Sequence, residues 1–280
     1  LKRNILTVDV EEWHHVCCCG KSFPYPSPES QRVRRNLHKI LSLLEEHEQK
    51  ATFFMLGAVA EKNADLAPMI VSGGHEIASH GYSHRLVTEL TPEEFEEELE
   101  ATERIILRQT GLRPFGYRAP QWSMPKSAEW AFAILRDRGY YYDSSLNPLL
   151  FVGENGWSCT PYDIPAGEGV IREFPPMVTK NRLLNLPTGG GWGFRLFPMG
   201  IICGTIDAIN RSGLPAMLYL HPREVDPEGP RMELPLIKRF VSYGTRDDLT
   251  PRLKTVLEKY HFTTVMEIMN IDGMHTDSGI

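Results

Sequence analysis

The sequence lacks a cysteine framework. It holds five cysteines, an odd number, and three of them are adjacent at Cys17-Cys18-Cys19. A disulfide scaffold needs evenly paired, spaced cysteines, so the fold must rest on its core, and a reducing compartment is expected. No apolar run reaches the roughly 18 residues of a spanning helix, so no membrane span is expected. Positive charge is not in excess: 30 Lys and Arg against 36 Asp and Glu leave a net charge of −6. Nothing in that balance favours a nucleic-acid partner. No Gly-rich dinucleotide fingerprint follows the first strand-like run. The glycines of Thr188-Gly189-Gly190-Gly191-Trp192-Gly193 are not a P-loop, because no Gly-Lys-Ser/Thr follows. There is no internal repeat, no low-complexity tract and no convincing domain boundary. One domain over residues 1–280 is therefore expected, of α/β-barrel size. No leader is visible ahead of the first strand, which makes a cytoplasmic location the expectation. The chain does not begin with Met, so a removed leader stays open.

What is present is an alternation of short apolar runs with amphipathic stretches. Residues 4–10, 51–57, 115–118, 140–145, 216–220 and 263–269 read as strands, and so does the run around Ile77-Ala78. Helical spacing covers 33–49, 59–71, 128–138 (capped by Ser127), 198–212 and 249–260. The helix expected over 92–110 carries the strongest signals: Thr91 as cap, Pro92 in the first turn, acids at its start and Gly111 at its end. Its acidic stripe reads as a solvated face. Residues 146–200 break the rhythm with many Pro and Gly residues and one expected strand, 170–174. An irregular insertion of that length is expected to lie over an active site. Strands joined by helices about seven times imply parallel strands, either an open doubly wound sheet or a closed barrel.

Polar residues recur at the C-terminal ends of these strands: Asp9 and Glu11, His80 and His84, Arg118, Asp143 and His221. In a barrel those ends share the catalytic face. Core packing gives no reason to gather acids, imidazoles and an Arg there. Asp9 and Glu11 are two apart and point the same way along an extended chain, while Glu12 points away. His80 and His84 straddle Gly81, a spacing that lets two ring nitrogens converge on one ion. Two imidazoles and a carboxylate can hold a divalent cation with positions left open. A second carboxylate can take a proton from water, and a separate His can protonate a departing amine. The set suits hydrolysis of an amide or ester. His14, His15 and the three cysteines match no structural-zinc spacing.

These residues fall in motifs that resemble the NodB-type polysaccharide deacetylases, carbohydrate esterase family four. Thr7-Val8-Asp9-Val10-Glu11, Ala51-Thr52-Phe53-Phe54, Gly74-His75-Glu76-Ile77 with His80-Gly81-Tyr82-Ser83-His84, and Leu220-His221-Pro222 match in order. The chain looks closest to the branch associated with exopolysaccharide and exosortase systems, through Gly116-Tyr117-Arg118-Ala119-Pro120, Tyr142-Asp143-Ser144-Ser145 and the His-Pro-x-Glu segment at His221. The likeness covers residues 4–270, with a family-specific part over 223–270. It implies a distorted (β/α) barrel of about seven parallel strands, and metal-dependent removal of N-acetyl groups from an amino-sugar polymer or oligomer. It implies one divalent ion, zinc by expectation, with cobalt or manganese as alternatives. Carried over by position, Asp9 is the general base and His221 the general acid. His80 and His84 are metal ligands, and Arg118 pairs with the base, backed by Asp143. Tyr82, Pro120, Trp122, Gly190 and Trp192 are expected to bind the sugar.

The sequence also departs from the family. Val10 stands where the family has its ligand acid. Strand alternation nominates Glu11 in its place, with Glu12 second. Gln121 stands where an aromatic is expected, and Arg223 where the close branch has Trp. Two rival readings follow: an allantoinase-like hydrolase of a ring amide, and a metal-free carbohydrate-binding protein.

Overall fold

The computed structural model describes residues 2–15, 32–125, 127–149, 156–181, 184–244 and 248–269. The reading placed on Cys17-Cys18-Cys19 lies outside these residues. In chain order the elements are β1 (Arg3–Val10), α1 (Val33–Glu46), β2 (Thr52–Met55), α2 (Gly57–Lys62), α3 (Leu66–Ser72), β3 (Glu76–Ser79), α4 (Pro92–Thr110), β4 (Gly116–Tyr117) and α5 (Glu129–Asp137). Then come β5 (Tyr142–Asp143), β6 (Tyr162–Ala166), β7 (Gly169–Glu173), α6 (Gly191–Leu196), α7 (Met199–Arg211), β8 (Met217–Leu220), α8 (Leu236–Tyr243), α9 (Thr250–Lys259), β9 (His261–Thr263) and α10 (Val265–Met269).

The sheet runs β6-β7-β5-β4-β3-β2-β1-β8, and β9 joins the start of β1. All pairings are parallel except β6 with β7. Between β7 and β8 the sheet is drawn together by backbone bonds. Met177 N–H donates to Met217 O at 2.9 Å, and Tyr219 N–H donates to Gly189 O at 2.8 Å. The result is a curled, distorted (β/α) barrel, as the family resemblance implied; the alternation of runs had left an open sheet equally possible.

The period of two in β1 organises the interior. Ile5 joins Phe54, Ala78, Tyr142, Phe174 and Met217 in an apolar floor inside the barrel. Thr7, Asp9 and Glu11 continue the same face upward, to polar partners at the mouth. The alternate residues Leu6, Val8 and Val10 pack outward, in one cluster with Leu37 and Ile40 of α1 and Ile202 and Ile206 of α7. A second cluster seats Phe95 and Leu99 of α4 and Phe132 and Leu135 of α5 around Tyr117.

Several local expectations are corrected. The helix expected over 59–71 is two helices, α2 and α3. Pro68 has no N–H to donate and would clash one turn back, so it is tolerated only in a first turn and the helix must restart at Leu66. Asn63 closes α2 by donating its side-chain amide to Val59 O at 3.0 Å. Ser127 does not cap α5, which starts one residue beyond Ala128. The preceding turn is closed instead by Ala128 N–H donating to Pro125 O at 3.0 Å.

Residues 263–269 are not one strand. β9 ends at Thr263, and the first free N–H groups of α10 are taken up from elsewhere. Val265 N–H donates to Thr52 Oγ1 at 2.9 Å, and Met266 N–H to Glu76 Oε2 at 3.1 Å. Those acceptors lie far away in sequence. The insertion also contains β6, α6 and part of a hairpin that the sequence reading missed. Pro165 argues against a strand, yet β6 is an edge strand, where a missing N–H costs little. The acidic stripe of α4 is not simply solvated: Glu103 receives Arg138 at 2.8 Å, and Glu98 clamps the loop after β3. Among the described residues no helix is long and apolar enough to cross a membrane.

Candidate active site and metal centre

β3 ends at Ser79, and the chain turns at Gly81, whose φ of 72° suits a residue without a Cβ. The turn is held by one carboxylate. Glu98 accepts from Tyr82 N–H at 2.9 Å, from Ser83 N–H at 2.7 Å and from Ser83 Oγ at 2.6 Å. His84 follows with φ of 66°, an uncommon conformation for a residue with a side chain. The clamp brings His84 Nε2 to 3.2 Å from Glu11 Oε1, the same distance as His80 Nε2. The three residues sequence reading nominated as ligands thus meet at one point. Glu12 turns away, as alternation implied. It accepts from the backbone N–H groups of Arg32 and Val33 at 3.1 and 3.4 Å, at the start of α1.

His80 Nδ1 lies 2.7 Å from the carbonyl oxygen of Arg118. A carbonyl can only accept, so Nδ1 carries the proton and Nε2 of the neutral ring presents a lone pair. That lone pair faces a carboxylate oxygen. Two facing lone pairs require a cation between them, a proton or a metal. A tetrahedral ion with ligand bonds of about 2.0–2.1 Å holds its donors roughly 3.3 Å apart. The residues present therefore fit a divalent ion in both chemistry and spacing. Burial pushes the Glu11 carboxyl up, but the charges of His84 and His221 and the bonds from His80 and His84 outweigh it, so Glu11 is held well below the usual range. Burial likewise works against a charged His80, and the bond from Glu11 and the charge of Asp9 reverse it, leaving His80 raised.

Arg118 stands beside this centre, 1% exposed. Its Nη1 donates to Asp9 Oδ1 at 2.6 Å and to Thr7 Oγ1 at 2.9 Å. Its Nε and Nη2 donate to Ser144 O and Ser144 Oγ at 3.0 and 2.8 Å. The guanidinium lies over Phe54 and near Trp122, 4.1 and 5.0 Å from the ring centres. One oxygen of Asp9 is thereby fixed. The other, Oδ2, is 3.8 Å from His221 Nε2. Asp143, expected to back Arg118, attracts the guanidinium by its charge but makes no hydrogen bond to it. It accepts from Ser145 N–H and Ser145 Oγ at 3.0 and 2.6 Å, and Ser144 makes the contact to Arg118. Burial raises both Asp143 and its neighbour Glu173, which crowd each other at the side of the site.

His221 is oriented by a residue that sequence reading quoted without giving it a role. Glu224 Oε2 accepts from His221 N–H at 2.9 Å and lies 3.2 Å from its Nδ1. The other oxygen of Glu224 is paired with Arg195. Burial raises the Glu224 carboxyl, and the charges of Arg195 and His221 more than reverse that, holding it at about 2. The spacing x-His-Pro-x-Glu was the available signal, since a carboxylate three residues on can reach back to a helix start.

A cleft of about 760 Å³ opens over these groups. Asp9, Glu11, His84, Arg118 and His221 line it, with Trp122 and Trp192 among its walls. Of the expected sugar-binding residues, only those two tryptophans reach it. Tyr82 instead directs its hydroxyl to Glu61 at 2.8 Å. Pro120 is buried in the turn whose neighbours Ala119, Gln121 and Trp122 face the cleft. Gly190 is pressed against β8, where a Cβ would lie 2.3 Å from Tyr219 O. Residues missed from sequence are His15, stacked on His84 with ring centres 5.2 Å apart, and Arg223, whose Nη1 donates to Glu11 Oε2 at 3.0 Å.

Residues 27–142 match the family model described as polysaccharide deacetylase, and residues 144–270 match a domain of unknown function, DUF3473. The two stretches share one sheet, with β2, β3 and β4 in the first and β6, β7, β8 and β9 in the second. A Bacillus cereus peptidoglycan-N-acetylglucosamine deacetylase is 28% identical over 169 residues, 54% of this chain and 62% of that protein. A Helicobacter pylori peptidoglycan deacetylase is 31% identical over 133 residues, 46% of this chain and 44% of that protein. The chain thus spans less than two thirds of the length of these curated relatives. A Mycobacterium smegmatis protein assigned as a polysaccharide deacetylase shares the fold: its crystal structure superposes with a TM-score of 0.59 at 20% identity, over 84% of this chain and 76% of that one.

Proposed function

This chain carries a NodB-type polysaccharide deacetylase domain of carbohydrate esterase family four, joined to DUF3473, and from that premise we propose that it is a metal-dependent hydrolase removing N-acetyl groups from an amino-sugar polysaccharide or oligosaccharide. The observation that carries the reading is the meeting of Glu11, His80 and His84 at one point, with Asp9 and His221 beside it in one cleft. Glu11, His80 and His84 are the residues that would hold the ion. When bound, the ion polarises the acetamide carbonyl and stabilises charge developing on its oxygen.

The remaining chemistry belongs to this chain's side chains. Asp9 takes the proton of the attacking water on Oδ2, because Oδ1 is committed to Arg118. Arg118 holds that carboxylate in place through a guanidinium fixed at three corners. His221 delivers a proton from Nε2 to the departing amine, its ring oriented by Glu224 at the opposite nitrogen. Trp122 and Trp192 offer flat apolar faces of the kind that pack against a sugar ring.

The test is acetate and free-amine release from N-acetylhexosamine oligomers by the chain loaded with zinc, cobalt or manganese in turn. Release with metal and none after chelation is expected. A metal-loaded chain that frees no acetate from any acetylated oligosaccharide would end this reading. A second reading, a metal-free carbohydrate-binding protein, draws on the Arg223–Glu11 ion pair, in which a side-chain cation already pairs with the Glu11 carboxylate at its other oxygen, Oε2. Elemental analysis after incubation with each metal separates the two.

A further inference from the structure

A second, smaller cavity adjoins the cleft and shares Arg195, Arg223, Glu224 and Ser242 with it. Its wall adds Arg231 and Asp226. The acids in it are already committed. Glu224 is held by Arg195 and His221. Asp226 is paired with Arg35 and with Arg32 Nε at 3.5 Å, and accepts from Asn36 Nδ2 at 3.2 Å. The donors are not all committed. Arg223 spends Nη1 on Glu11, while its buried Nε has no hydrogen-bond partner among the described residues. Ser242 is 5% exposed, and its hydroxyl also has none. A buried N–H and a buried hydroxyl left unmade each cost free energy, so both call for an acceptor. A guanidinium edge and a hydroxyl lining one cavity fit an oxyanion, because guanidinium and carboxylate or phosphate match in geometry.

We propose that this cavity is a subsite for an anionic group, a carboxylate or a phosphate, carried by the acetylated sugar beside the acetamide to be cleaved, and that Arg223 and Ser242 bind it. The proposal rests on the deacetylase reading for its substrate but not for the anion site. It also gives a role to Arg223, which otherwise only pairs with a ligand carboxylate.

The test has a binding arm and a turnover arm. In the first, inorganic phosphate and acetate are titrated into the full chain by calorimetry, for wild type, Arg223→Gln and Ser242→Ala. Loss of a charge-assisted bond should weaken binding about tenfold or more in Arg223→Gln, and less in Ser242→Ala. Ser242→Ala removes only a hydroxyl, so it stands if Arg223→Gln does not fold. In the second arm, three substrates sharing one backbone are compared: a neutral N-acetylhexosamine tetramer, the same bearing carboxylates, and the same bearing a phosphomonoester. One charged form should be preferred about tenfold or more in kcat/KM, which identifies the anion, and Ser242→Ala should shrink that preference. Equal turnover of neutral and charged forms, or anion binding unchanged in both variants, overturns the subsite. If no oligosaccharide releases acetate while the variants still lose phosphate or acetate, the deacetylase reading falls and the subsite stands.

Discussion

Arg118 presents its carbonyl oxygen to His80 Nδ1 at 2.7 Å. Its guanidinium, on the same residue, holds Asp9 at 2.6 Å. One position at the end of β4 therefore sets both the tautomer of the proposed ligand His80 and the aim of the proposed base Asp9. Partners behind a ligating His commonly fix its orientation in this way. The backbone carbonyl is present whatever the side chain, so substitutions at Arg118 separate the two roles.

His80→Ala and Glu11→Gln should each abolish metal uptake, a loss beyond the roughly 10- to 100-fold expected of an outer-shell change. Glu12→Gln should bind metal normally and lose about 1 kcal/mol of stability, through its contacts to the start of α1. Calorimetric titration with zinc, alongside thermal unfolding, checks all three. Metal loss in Glu12→Gln would move the third ligand there.

Asp9→Asn should keep the metal and lose turnover by about 10²- to 10⁴-fold, since proton abstraction goes with the carboxylate while the ligands stay. The measurement is acetate release together with metal content of the same preparation. Undiminished release would remove Asp9 from the mechanism.

Glu224→Gln should lower kcat by at least about tenfold and leave KM nearly unchanged, because it acts on His221 and not on the sugar. It should also destabilise the chain, since Arg195 is left buried beside a neutral partner. A change confined to KM would assign Glu224 to substrate binding instead.

Glu98→Ala should weaken metal binding by about 10- to 100-fold without touching a ligand. It removes the acceptor for Tyr82 N–H, Ser83 N–H and Ser83 Oγ, and so frees the turn that holds His84 in its left-handed conformation. Unchanged affinity would show that the loop holds its shape unaided.

Glu76 supplies a pH test away from the site. Burial pushes its carboxyl up from 4.5 to about 7, although bonds from Thr52, Tyr142 and Met266 oppose the rise. The native chain then keeps this proton longer than the unfolded chain. Between about pH 4.5 and 7 it binds more protons than the unfolded state, so stability falls as pH rises through that window. The contribution is about 3 kcal/mol. Glu76→Gln, which cannot ionise, should lack this decline. Denaturant unfolding of both proteins from pH 4.5 to 7.5 should therefore converge or cross with rising pH, and parallel curves would refute the assignment.

The elements most legible in the sequence were those whose signals are local. The capping box of α4 is one: Thr91 and Glu94 exchange bonds at 3.2 and 2.9 Å, and Gly111 ends the helix in the left-handed region. The alternation that put Asp9 and Glu11 on one face of β1 and Glu12 on the other is another. The misread elements were decided from a distance. α10 is capped by Thr52 and Glu76 across the barrel, and β6 is permitted its proline by an edge position. Pro68 is different, because its signal was local and was overlooked.

Residue type and period alone determined that acids, imidazoles and an Arg would crowd the C-terminal ends of parallel strands. Those properties depend only on near neighbours and on the two-residue repeat of an extended chain. Which oxygen meets which nitrogen was decided by tertiary structure. Glu11 and Arg223 are 212 residues apart, yet share an ion pair. Asp143 stands back while Ser144 reaches Arg118, and Tyr82 turns outward to Glu61. Side-chain direction at a strand end follows from the closing of the barrel and the clamps on its loops, and no local pattern encodes either.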